Sequence, residues 1–156
     1  MEYINLNDKV VEYLEERILG LKEKGENFSL GIVDIDFYDF VKEEIGEEAL
    51  VISMNEVKKS LGSLTRPIDL VEQINEHQYL VGVREFNQDS LKVLLDRLRM
   101  SVDQFSTIIH GKNFKFTISC GGTQLMEEDV LYSLISRGLD QLKKSQDFGS
   151  NRVSIG

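Results

Sequence analysis

Apolar positions along this 156-residue chain recur with two different periods, and the switching between them predicts its elements. From 8 to 24, Val10, Val11, Leu14, Ile18 and Leu21 fall at helical spacing with Glu12, Glu15, Glu16 and Lys22 outside them, and Gly25 follows as a stop. This predicts an amphipathic helix with an acidic outer face. Phe28-Ser-Leu-Gly-Ile-Val is a short apolar run leading into Asp34-Ile-Asp36, the pattern of a buried strand that ends in two carboxylates. Residues 37–45 and 47–61 read as helices, the second with Leu50, Met54, Val57, Lys58 and Leu61 on one face. Gly62-Ser-Leu-Thr-Arg-Pro67 breaks that helix and holds the chain's single proline. Strands are expected over 68–74 and 78–84, turning through Asn75-Glu76-His77. A long helix over 89–109 is built on Leu91, Leu94, Leu95, Leu98, Val102 and Phe105, with His110 at its end. A strand over 114–120, a helix over 128–144 and a short strand over 152–155 complete the pattern.

Strands alternating with helices imply an α/β fold in layers, one central sheet flanked by helices, and the 75–77 hairpin makes that sheet mixed. The chain shows no linker, low-complexity run or repeat, so a single domain over 1–156 is expected, an N-terminal helical segment (1–26) joined to a core (27–156). At 41% hydrophobic and 29% charged residues it has the composition of a folded protein rather than a disordered one. No run approaches the roughly 18 apolar residues of a spanning helix, and Met1-Glu-Tyr-Ile-Asn lacks the basic start of a signal peptide, so a cytoplasmic location without membrane insertion is expected. A lone Cys120 within Thr117-Ile-Ser-Cys-Gly reads as a buried strand thiol and allows no intrachain disulfide.

Charge sharpens the function classes. The formal charge of −9 lies wholly in residues 1–48, with 14 acids against 5 bases, while 49–156 carries 13 of each. Such a surface repels a polyphosphate backbone and argues against nucleic acid, but not against a small anion held by a local group of bases. Asp34 and Asp36, two residues apart at a strand end, share a side and can in principle share a divalent cation; solvated acids are the plainer alternative. His77, in a turn without a second imidazole nearby, is either a metal ligand or plain surface.

Around Asp34 the chain resembles the GGDEF domain of bacterial diguanylate cyclases, which condense two GTP into cyclic di-GMP. Counted without a gap, the family's metal-binding aspartate falls on Asp34 and its aromatic on Tyr38, but its phosphate-side lysine falls on Asp39. The guanine-reading asparagine falls on Lys42 and its partner aspartate on Val51. The signature hairpin falls on Asn75-Glu76-His77-Gln78-Tyr79, where only the final aromatic survives in kind. Thr117-Ile-Ser-Cys-Gly121 is similar to the family strand V-T-V-S-I-G. The tail Lys143-Lys144 to Gly149-Ser-Asn151-Arg-Val resembles A-K-x-x-G-x-N-R-V with two extra residues before the glycine. The resemblance implies a nucleotidyl-cyclase-like three-layer fold and makes Asp34, Asp36, His77, Gln78 and Lys144 a vestigial active site. Magnesium needs hard oxygen ligands, and His77 and Gln78 stand where acids are required, so neither catalysis nor a metal cofactor is expected.

One family feature is intact. Active members often carry R-x-x-D five residues before the signature hairpin, a site for intercalated cyclic di-GMP; here Arg66-Pro-Ile-Asp69 precedes Asn75 by Leu70 to Ile74. The chance of both charges at a preassigned pair of positions is on the order of 1 in 300. Pro67 biases Arg66 toward extended backbone, and the 57–68 window contains Lys58, Lys59 and Arg66 without an acid. The family's further arginine falls on Arg97, with Arg99 close by. An arginine fork suits phosphate or guanine O6/N7, and an aspartate accepts from guanine N–H groups. The resemblance thus implies an inactive domain that receives cyclic di-GMP through Arg66, Asp69 and Arg97, with ligand-induced homodimerisation as a corollary. The alternatives are a scaffold that docks a protein effector, or a residual enzyme using Asp34, Asp36 and His77 with Lys144 on phosphate.

Overall fold

Alternation along two central strands divides the molecule into layers. In the computed structural model, which describes residues 5–156, strand β1 (Phe28–Ile35) turns Phe28, Leu30 and Ile32 to one face and Val33 and Ile35 to the other. The expected N-terminal segment is helix α1 (Asp8–Lys24), with Met1–Ile4 outside the described residues. Asn7 caps α1 by accepting from the Val10 N–H, and Gly25 closes it in the left-handed conformation at φ 67°. A short turn, α2 (Tyr38–Phe40), runs into a π-helical turn (Val41–Ile45) and then α3 (Glu47–Leu64). After the break come β2 (Leu70–Gln73), β3 (Gln78–Arg84) and α4 (Gln88–Asp103). A small hairpin, β4 (Thr107–Ile109) and β5 (Lys112–Phe114), precedes β6 (Ile118–Gln124), α5 (Leu131–Asp147) and β7 (Val153–Ile155).

The five-stranded sheet has the order β2-β3-β1-β6-β7, antiparallel except for the parallel β6–β7 pair. Helices α1 and α5 cover one face over Leu14, Phe28, Leu30, Ile32, Leu80 and Leu134; α3 and α4 cover the other over Val57, Leu61, Val81, Leu91 and Leu95. Each such fully buried side chain contributes about 1.5–3 kcal/mol of burial, which holds the layers together. The mixed, helix-flanked α/β fold is as the pattern predicts. Several element ends differ. The helix expected over 89–109 stops at Asp103, because its last residues pair in the β4–β5 hairpin, where His110 sits at the turn with φ 51°. The strand expected over 114–120 is divided between β5 and β6. Lys58 is exposed, not part of the apolar face of α3. No helix among the described residues is long and apolar enough to cross a membrane.

Candidate functional site

The antiparallel register decides what surrounds the two carboxylates. β1 pairs with β3 so that Asp34 stands opposite Gln78, and with β6 so that it stands opposite Ser119 on the other side. Asp34 is buried, and its oxygens are already taken: Oδ1 lies 2.5 Å from His77 Nδ1, and Oδ2 accepts from Gln78 Nε2 at 3.1 Å and Gln146 Nε2 at 3.0 Å. The His77 ring stacks flat on Tyr38, centroids 3.5 Å apart at an interplanar angle of 4°. Asp36 is equally buried and separately engaged, accepting from Thr117 Oγ1 (2.6 Å), Ser119 Oγ (2.6 Å) and the Asn151 N–H (2.8 Å). The two carboxylates therefore do not face a common vacancy; each serves as the acceptor of its own polar cluster.

This donor set does not fit magnesium. A hard cation wants several oxygen ligands, whereas the groups converging on Asp34 are an imidazole and two amides that aim N–H donors at it. No group of three or more His, Cys, Asp or Glu able to hold a metal occurs among the described residues. Lys144, placed in the vestigial site from the sequence, is exposed on α5 and does not reach it. The residue that does is Gln146, two positions later and therefore about 200° further round the helix. Helix α5 runs unbroken to Asp147, so the A-K-x-x-G pattern counted back from Gly149 lands on Gln146. Counting from the glycine instead of from the lysines was the signal available in the sequence. Cys120 is fully buried, and desolvation pushes its thiol far above the usual range, as a structural cysteine requires.

Around the position where the resemblance places guanine recognition, Lys42 Nζ binds both oxygens of Glu76 at 3.0 Å, joining the π-helical turn to the β2–β3 hairpin. Both residues line a cleft of about 260 Å³ with Leu50, Val51 and Met54. The hydrogen bond and charge of Glu76 raise the Lys42 pKa above its ordinary value. A lysine committed to an acid and an exposed valine provide none of the paired amide and carboxylate that the resemblance places there. Nearby, Phe37 holds a left-handed conformation (φ 54°) uncommon for a bulky residue.

The second cluster lies at the opposite end of β1, where Phe28 pairs with Arg84, roughly 20 Å from Asp34 at about 3.3 Å per residue. Arg66-Pro-Ile-Asp69 closes on itself as a turn: the Asp69 N–H donates to the Arg66 carbonyl, and the Arg66 N–H donates to Asp69 Oδ2 at 2.8 Å. The guanidinium then forks onto the same carboxylate through Nε (3.2 Å) and Nη2 (3.1 Å), while Asp69 Oδ1 also accepts from the Arg84 N–H at 3.2 Å. The Asp69 side chain is 1% exposed and all four acceptor directions are filled. On its outer edge Arg66 donates to Glu85 Oε1 at 3.0 Å and to the Arg84 carbonyl, and it lies over the Phe86 ring, 5.5 Å from the centroid. The hydrogen bond with Asp69 is the largest influence holding the Arg66 pKa up.

Glu85 and Phe86 line a cleft of about 350 Å³ whose far wall, on α4, includes Ser90 and Arg97. Arg97 is exposed there. Of the three residues the resemblance singles out, Arg97 lines this cleft, while Arg66 and Asp69 form their own ion pair beside it, Arg66 reaching the cleft's edge through its contacts with Glu85 and Phe86. Arg99 belongs elsewhere, donating to Asn151 Oδ1 at 3.3 Å.

The family model for the diguanylate cyclase GGDEF domain matches residues 8–152. The chain is similar to diguanylate cyclase A of Treponema denticola, 28% identical over 134 residues, and to diguanylate cyclase DgcP of Pseudomonas aeruginosa, 21% identical over 148 residues. These alignments cover 85% and 92% of this chain but only 36% and 22% of the relatives, which are far longer. Its fold is similar to that of diguanylate cyclase SiaD from Pseudomonas aeruginosa, solved in complex with its activator SiaC (TM-score 0.88, 19% identity, covering 95% of this chain and 57% of that one). It is also similar to the GGDEF domain of DgcB from Caulobacter crescentus, solved in complex with c-di-GMP (TM-score 0.85, 17% identity, 95% and 86% covered).

Proposed function

This chain belongs to the GGDEF family of diguanylate cyclases, and we propose that it is a catalytically silent member that receives cyclic di-GMP through Arg66, Asp69 and Arg97. The observation that carries the reading is the Arg66–Asp69 fork at the sheet end away from Asp34, next to a cleft that Arg97 lines together with Glu85, the acid Arg66 also holds. Silence at the other end is supported by its donor pattern. Phosphodiester formation needs metal-bound oxygens to gather triphosphate charge, whereas both oxygens of Asp34 already accept from His77, Gln78 and Gln146. The exposed Asp39 adds negative charge where the family places a lysine.

Ligand and protein compete for the same bonds at the receptor site. Arg66 leaves Asp69 in part when a phosphodiester or guanine edge arrives, and Asp69, still held by the Arg66 and Arg84 N–H groups, becomes free to accept from guanine N1–H and N2–H. Arg97 supplies a second cation across the cleft. Calorimetric titration of the intact chain with cyclic di-GMP is expected to show saturable binding that weakens about tenfold or more in Arg66→Ala, the scale of a lost charge-assisted fork. Incubation with GTP and magnesium is expected to give no cyclic product. No binding at high micromolar ligand, or binding indifferent to Arg66→Ala, refutes the receptor reading; GTP turnover abolished by Asp34→Ala refutes the silent one.

A second reading, a scaffold docking a protein effector, draws on Phe37 and Phe40, 71% and 58% exposed beside an apolar cleft of about 270 Å³ that also includes Ile45 and Phe116. Loss of a partner in Phe37→Ala and Phe40→Ala but not in Arg66→Ala distinguishes it.

A further inference from the structure

Arg66 already holds an anion. Its inner edge is forked onto buried Asp69, and that bond is built into the turn. Its outer edge is held differently: Glu85 Oε1 accepts from Nη1 at 3.0 Å, and the Glu85 side chain is 72% exposed, on a loop residue outside the sheet. Glu85 takes up this position from a left-handed backbone (φ 70°), a conformation that favours glycine or asparagine over glutamate. It also lines the same cleft as Phe86 and Arg97, so Glu85 links Arg66 to the cleft that Arg97 lines. A carboxylate on a guanidinium edge presents two oxygens in the geometry a phosphodiester presents.

We infer that Glu85 is a built-in counter-ion occupying, on Arg66, the place of the ligand's phosphate, so that it sets the affinity of the cleft for an anionic dinucleotide. The inference rests on the receptor reading above and goes beyond it by naming what the ligand displaces. Displacement is open to exchange because Glu85 is exposed, and the released carboxylate gains water. While Glu85 remains, its charge opposes the incoming phosphate from within the cleft.

The test compares the intact chain with Glu85→Gln and Asp89→Asn by calorimetry with cyclic di-GMP at constant ionic strength. Glu85→Gln keeps the shape and the backbone and removes the charge. Asp89, exposed in the first turn of α4, carries the same charge near the cleft without touching Arg66, and so reports bulk electrostatics alone. Glu85→Gln is expected to bind about three- to fivefold more tightly, the size of an exposed ion pair, with Asp89→Asn close to wild type. Equal or weaker binding by Glu85→Gln, or equal gains in both variants, overturns the inference and leaves the receptor reading standing. No binding by any of the three proteins overturns both.

Discussion

Gly121→Ala is the substitution whose cost can be worked most directly from the structure. Gly121 sits in β6 between Ile32 of β1 and Ser154 of β7, on the face covered by α5. A Cβ there would stand 2.1 Å from the Leu142 nitrogen, 2.5 Å from the Gly138 carbonyl oxygen and 2.6 Å from the Leu142 Cα, all of them backbone of α5. Ordinary contact begins at 3.4 Å, so the helix must retreat by roughly 1.3 Å, with no side chain able to rotate out of the way. The retreat loosens Leu134, Ile135 and Leu142 and draws Gln146 from Asp34. Overpacking costs about 1–3 kcal/mol and occasionally more; a clash against backbone belongs at the top, about 3 kcal/mol. Gly31→Ala in β1 is the control: its Cβ would meet Leu95 methyl groups at 3.3 Å, which can give, for about 1 kcal/mol. With a urea slope of about 1.5–2 kcal/mol/M, the Gly121→Ala midpoint is expected to fall by about 1.5–2 M. A Gly121→Ala protein within 1 kcal/mol of wild type, or less destabilised than Gly31→Ala, would refute the reasoning.

Two further predictions concern titration. The Asp129 carboxylate, 2% exposed, is destabilised by burial, yet hydrogen bonds from Arg137, the Met126 N–H and Ser133 outweigh that and lower its pKa below the ordinary 3.8. Because the folded pKa is depressed, the contribution is fully present above about pH 4 and fades as pH falls through the folded value. Asp129→Asn is therefore expected to cost about 3 kcal/mol at pH 7, with the gap from wild type narrowing below about pH 4; a gap unchanged down to pH 2 would contradict this. Cys120, buried and raised in pKa, is expected to resist a thiol-specific disulfide reagent at pH 8 in the native protein and to react fully in denaturant. Rapid native labelling would show that strand β6 opens.

The alternating periods of apolar residues were enough to give the layers, because period 2 in Phe28, Leu30 and Ile32 and period 3.6 in Leu91, Leu95, Leu98 and Val102 each specify one buried face. Local pattern failed where tertiary pairing competes with it. Residues 104–109 carry the continuing apolar spacing of α4, but Thr107–Ile109 instead hydrogen-bond to Lys112–Phe114, so the helix ends early. Likewise the pairing of Arg66 with Asp69 was legible, since a turn of fixed length brings residues three apart onto one another.

What the sequence by itself determined is therefore the α/β layering, the family resemblance, the presence of His77 and Gln78 where that resemblance places carboxylates, and the R-x-x-D spacing of Arg66 and Asp69. Only the tertiary structure decided which side chains meet. Strand register brought His77 and Gln78 onto Asp34 as donors, and the phase of α5 sent Gln146 there instead of Lys144. The left-handed turn after β3 set Glu85 on Arg66. The physical reason is range: periodicity and turn chemistry act over a few residues. These partnerships join positions between 19 and 112 residues apart, which only a completed sheet and its packed helices bring within hydrogen-bond distance.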